Sequence, residues 1–152
     1  MTTGWMIAFG LATLLVAGLA LYLGRLLRML QQQKQQQQAE LQKKNSYLFE
    51  SIDLIARAMQ EEQCELSEGA LRIWVLLDHL QLTNKPDAKS SYPALFQMYD
   101  VVKDMPTHQA RKERDKKEIR HLDHIRQQAE INLKDAILQD VSHLLDWVKK
   151  AA

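Results

Sequence analysis

The chain has 152 residues, with 20 Lys and Arg against 19 Asp and Glu and a single cysteine, Cys64. That length allows one small domain with appendages, and one cysteine excludes an intramolecular disulfide framework and suits a reducing compartment. The near-neutral charge conceals an asymmetry, because no charged side chain occurs before Arg25.

The first element in chain order is "GWMIAFGLATLLVAGLALYLG", Gly4 to Gly24, uncharged and mostly apolar. A helix of that length rises about 30 Å, enough to span a bilayer's hydrocarbon core. Trp5 and Tyr22 stand near its ends, where amphipathic rings favour the headgroup level. A cleaved signal peptide would have a shorter apolar run after a basic start. Here no Lys or Arg precedes the run, and "RLLRM" follows it as a stop-transfer flank. Residues 1–24 are therefore expected to be a transmembrane anchor that meets the lipid bilayer through residues 4–24. Arg25, Arg28, Lys34, Lys43 and Lys44 follow the span against the one acid Glu40. Positive charge stays on the cytoplasmic side, which sets the N-terminus outside and the remainder in the cytoplasm. Ala8, Ala12, Ala20 and Gly24 form a row of small residues along which two spans could approach.

Residues 25–40 read as a Gln-rich juxtamembrane stalk. Polar tracts such as Gln31–Gln38 are often disordered, but Gln, Lys, Glu and Leu are good helix formers. No Gly or Pro interrupts Arg25 to Ser67, which favours a helix. Leu41, Leu48, Ile52, Ile55 and Met59 then recur at steps of 7, 4, 3 and 4. That is a coiled-coil seam, with Asn45 at the intervening core position, where it would fix the register of a homodimer.

Residues 41–152 read as a cytoplasmic helical domain. "SEGALRIWVLLDHL" predicts a helix capped by Ser67, with Leu66, Ala70, Ile73, Leu77 and Leu80 as its buried stripe. Thr83 to Pro93 predicts a surface loop, and "ALFQMYDVV" a short helix ended by "DMPTH". The last 40 or so residues predict one long helix capped by Thr107. Its stripe runs through Ile119, Leu122, Ile125, Ala129 and Leu133, then Ala136, Ile137, Val141, Leu144, Leu145 and Val148. No alternating strand pattern is present. The fold class is all-α: a transmembrane helix continuing as a stalk into a small antiparallel bundle of about four helices.

Three constellations could carry chemistry. Glu118, His121 and His124 in "EIRHLDH" resemble half of a carboxylate–metal site, but no second E-x-x-H supplies the other half. "RKERDKKEIR" carries Arg111, Lys112, Lys116 and Lys117, but acids interleave with the bases. No aromatic occurs from Met105 to Leu145 to stack on bases. Such alternation usually marks a solvated helix laced with ion pairs, which argues against nucleic acid and leaves contact with anionic lipid open. Cys64 has His79, His108, His121, His124 and His143 as conceivable bases, but a small buried cysteine at a helix junction is the simpler reading. Gly69, in a helix's first turn, suits close helix packing. No cofactor site and no catalytic residue is indicated.

The apolar start, the Gln-rich stalk, "QCELSEGALRIWVLLDHL", "SYPALFQMYDVV" and "MPTHQARKERDKKE" together resemble a bacterial family. It comprises uncharacterised single-span proteins, mostly gammaproteobacterial, classed as a domain of unknown function. The resemblance covers nearly the whole chain and implies a bacterial inner membrane and an intracellular helical domain, with no catalytic residues to carry over. The expected function is a membrane-anchored adaptor or scaffold without enzymatic activity, holding a cytoplasmic protein partner. Its candidate surfaces are the Leu41, Leu48, Ile52, Ile55 and Met59 stripe, wherever the bundle leaves it free, and the Arg111–Arg126 helix. The alternatives are a metal-dependent sensor or small enzyme using the His/Glu cluster, or a tether for nucleic acid or lipid.

Overall fold

A computed structural model describes residues 2–82 and 84–151. Thr83, where the loop was expected to begin, lies outside the described residues, as do the side chains of Trp5, Ala8, Ala12 and His108. The described residues form six helices and no strand: α1 Thr2–Gln60, α2 Leu66–His79, α3 Ala88–Ser91, α4 Pro93–Val102, α5 His108–Glu113 and α6 Lys116–Ala151. The all-α expectation holds, with the N-terminal helix running on into the helical region. Gln31–Gln38 lies within α1 and is helical. The chain divides into two compact units, Met1–Lys43 and Lys44–Ala152.

Among the described residues the hydrophobic core lies in the second unit. Ile52 and Met59 of α1, Ile73 of α2, Leu95 and Met98 of α4, and Ile137, Val141 and Leu144 of α6 are fully buried. Helix α4 packs on both α2 and α6, and α2 also meets α6. The apolar residues of α2 and α4 recur every three or four positions, so each helix turns one stripe inward. Gly69 lets α2 approach α1 closely, since a Cβ there would overlap Sδ and Cγ of buried Met59.

Helix α1 stops by a Schellman turn. The Glu62 N–H donates to the Met59 carbonyl at 3.3 Å, and the Gln63 N–H to the Ala58 carbonyl at 2.8 Å. The residue in the left-handed position is Glu62, at φ 55°, where glycine is the usual choice.

Four expectations about the bundle need correction. Ser67 does not cap α2: Glu65 holds the cap position, and Ser67 is a buried residue of the helix itself. The Thr83–Pro93 loop contains the short helix α3. The final helix is broken, with α5 ending at Glu113 and Arg114 extended at ψ 156°. Asp115 supplies the reason: its carbonyl accepts the Ile119 N–H at 3.0 Å, the first bond of a new helix, and aspartate favours that start position. Finally, the stripe of α6 is buried only from Ile137 onward. Leu122 and Leu133 are half-buried, and Ile125 and Ala136 are exposed.

Candidate functional site

Within Met1–Lys43, the apolar side chains of α1 that the structure describes are exposed. Leu14 is 72 % exposed, Leu15 68 %, Val16 66 % and Leu21 77 %. Neighbouring helical residues project about 100° apart, so exposure at three consecutive positions means an apolar surface around most of the circumference. Burying one such side chain is worth roughly 1.5–3 kcal/mol, so this surface is unsuited to water. From Leu14 the helix is long and apolar enough, by length and composition, to cross a membrane near the N-terminus. Tyr22 is exposed on the same segment. Trp5 belongs to the helix, but its side chain is outside the described set.

The seam of α1 is used differently in the second unit. Leu48, Ile52 and Met59 are buried and Ile55 is half-buried against the core. From Leu48 onward the bundle does not leave this stripe free: Leu48, Ile52 and Met59 belong to the core, as amphipathic helices in bundles ordinarily require. Leu41, in the first unit, stays partly exposed. Asn45 is also placed otherwise than expected. Its Nδ2 donates to the Gln81 carbonyl at 2.8 Å and its Oδ1 accepts the Gln81 N–H at 3.2 Å. The amide satisfies both polar groups of one backbone residue just beyond α2.

On α5 and α6 the alternating charges separate by partner. Arg111 reaches Asp123 at 2.6 Å, and Arg114 pairs with Glu118. The hydrogen bond from Arg111 holds the Asp123 carboxyl below the usual carboxylate range. Lys112, Lys116 and Lys117 are exposed and have no carboxylate partner among the described residues. Glu118, the carboxylate of the expected half-site, is paired with Arg114. Among the described residues no group of three or more His, Cys, Asp or Glu is placed to hold a metal ion. His79 directs Nδ1 at the Val75 carbonyl, 2.7 Å away, so that nitrogen donates.

Cys64 is half-buried at the α1–α2 junction. It lines an open cavity of about 500 Å³ shared with Met59, Leu66, Lys134 and Leu138. Burial, then the nearby Glu68 charge, pushes its thiol above the ordinary cysteine value. The thiolate is the reactive species, so this environment suppresses nucleophilic chemistry.

Two residues of α6 do structural work that the sequence reading missed. Asp140, itself buried, accepts the Ala94 and Leu95 N–H groups at 2.7 and 3.1 Å through Oδ2. It thereby caps α4, whose own cap residue Tyr92 contributes no side-chain bond. Burial, then the Asp140 charge, raises the Tyr92 hydroxyl to about 12. Ten residues earlier, Glu130 Oε1 accepts the Ser67 N–H at 3.1 Å and meets Arg126, which also reaches Glu65 at 2.7 Å. Buried N-terminal N–H groups need acceptors, and α6 supplies them to α2 and α4 from across the bundle. The available signal was an acid inside an apolar stripe, between Ile137 and Val141.

With the fold in view, the comparisons are specific. The model of a family described as "Protein of unknown function (DUF2489)" matches residues 16–144. The chain belongs to the DUF2489 family. An uncharacterised protein of Haemophilus influenzae is 43 % identical over 145 residues, 94 % of each chain. No solved structure matches. The DUF2489 match begins inside the apolar segment and reaches Leu144, so it takes in the exposed leucines of α1 from Leu19 onward and the capping acids of α6.

Proposed function

We propose that this DUF2489 protein is a single-pass inner-membrane protein whose Lys44–Ala152 domain serves, in the cytoplasm, as an interaction module without catalytic activity. The observation that carries the reading is the ring of exposed leucines and valine from Leu14 to Leu23, on a helix long enough to cross a bilayer. Lipid is the solvent in which such a surface is stable. Arg25, Arg28 and Lys34 beyond it favour a cytoplasmic domain by the positive-inside rule. An adaptor role is supported by a domain whose core is complete while its outer faces stay richly charged.

The test has two parts. Protease added to spheroplasts should leave Lys44–Ala152 intact until the membrane is permeabilised; digestion from outside would overturn the topology. Crosslinked recovery from membranes should then be compared between the full chain and a variant lacking residues 1–24. A protein partner retained by both supports recognition by the domain. Recovery of only the chain itself, or of proteins lost with the anchor, would overturn the adaptor reading.

A further inference from the structure

The core takes one stripe of α1 and leaves a second one free. Tyr47, Ser51, Leu54 and Ala58 follow one another at steps of 4, 3 and 4. At 3.6 residues per turn they lie on the side of the helix turned away from buried Ile52 and Ala56. Tyr47 is 68 % exposed and Leu54 70 %. Beside them an open groove of about 400 Å³ runs between α1 and α2, lined by Ser51, Ile55, Leu71, Arg72, Val75 and Leu76. Arg72 is the one charged residue of that lining, and Glu68 engages its guanidinium. The face is therefore apolar, and contiguous exposed apolar patches mark interaction sites.

We infer that a second copy of the chain packs on this face, α1 beside α1 in parallel, an inference whose parallel direction rests on the anchor proposed above. Steps that alternate between 4 and 3 average about 3.5 residues, the period at which two like helices keep one seam in contact as they supercoil. Counted back along the sequence, the same alternation meets Leu30, Leu26, Leu23, Leu19 and Val16. Apolar positions on both sides of the Gln-rich tract thus share one heptad register, which an unrelated partner would not require. Between them the register falls on Gln33, Gln37, Glu40 and Lys44, so apolar contact is confined to the two ends. Two chains with one topology in one bilayer present α1 in the same direction. Their shared anchoring raises the effective concentration, so a patch of modest size suffices. A two-fold axis along α1 makes the face self-complementary: Ser51 comes near its own copy, and Leu54 of each copy turns toward the groove of the other.

The experiment places single cysteines in the full chain carrying Cys64→Ser and treats membrane and soluble fractions with a short bismaleimide. On the seam are Tyr47→Cys, Ser51→Cys and Leu54→Cys; off it, on the same helix, are Ser46→Cys and Asp53→Cys. The expected result is covalent dimer at the seam positions, several-fold above the off-seam level, in the membrane fraction. Crosslinks between like positions at all three require parallel helices. Adding Leu54→Glu and Val75→Glu, both at exposed positions, to Ser51→Cys should bring the yield down to the off-seam level. Equal yields on and off the seam would overturn the pairing, and protein still in the membrane fraction would leave the anchor standing. Seam-specific dimer formed by protein in the soluble fraction would support the pairing and overturn the anchor. Dimer unaffected by Leu54→Glu/Val75→Glu, or seam cysteines joined to a different protein, would overturn this face as the seat of a second copy.

Discussion

The two ends of α1 are built from the same residue types and meet opposite surroundings. Around Leu14–Leu23 the leucines, with Val16, Ala17 and Ala20 between them, make the helix apolar all round and are exposed, whereas Leu48, Ile52 and Met59 lie on one stripe and are buried. The difference is the width of the apolar surface. A helix apolar all round needs an apolar solvent or enclosure, while one with a single apolar stripe needs only neighbouring helices. One helix therefore passes from a segment suited to lipid into one suited to a protein core, with the polar Gln31–Gln38 tract between them.

The largest effect should come from removing the first environment. Deleting residues 2–24 should move the protein from the membrane fraction to the soluble fraction while the far-UV helical signal of the domain persists. Retention in the carbonate-washed membrane pellet would break the comparison. Next in size is the core: Ile52→Ala should cost about 2–5 kcal/mol in domain stability, measured by urea denaturation. Leu15→Ala should leave the same transition unchanged, and equal losses would show that both ends of α1 are packed within the protein.

Asp140→Ala sharpens the account of the core side. It leaves the buried Ala94 and Leu95 N–H groups without their acceptor, at about 1–3 kcal/mol, readable as a lowered thermal midpoint. A midpoint unchanged from the parent would mean that water replaces the carboxylate. The smallest effect concerns the end of α1. Glu62→Gly should stabilise the domain, because a left-handed non-glycine residue costs roughly 1–2 kcal/mol. The lost pair with Lys134, at 2.7 Å on an exposed surface, offsets little of that gain. The Glu62 carboxyl is held below its ordinary value by Lys134, so the pair's contribution is present above the unfolded carboxylate pKa and lost as pH falls through the folded one. The advantage of Glu62→Gly should accordingly grow in acid, and denaturation midpoints against pH would show it.

Much of this architecture was legible along the chain because it follows from local periodicity. The apolar run, the absence of Gly and Pro through the stalk and the stripes of α2 and α4 each need only a few neighbouring residues to interpret. The errors fell where the decisive partner is distant in sequence. Ser67 has good capping chemistry, yet the Ser67 N–H is satisfied by Glu130, 63 residues away. Asn45 fits a coiled-coil core position but is engaged by Gln81. The break before α6 was readable, since Asp115 followed by Glu118 is a helix-start pattern. It was outweighed by an apolar stripe whose first half the structure leaves half-buried or exposed.

By itself the sequence determined the all-helical class, the membrane-compatible N-terminal helix and the boundary where apolar residues narrow to a stripe. Helix propensity and hydrophobic periodicity act over a few turns and are written in order. Only the tertiary structure decided which acids of α6 cap other helices and which are held by Arg111 and Arg114. It also decided which face of α1 became core. Those outcomes depend on which surfaces meet when helices pack and on the need to satisfy polar groups at each junction, and no local reading of the chain contains either.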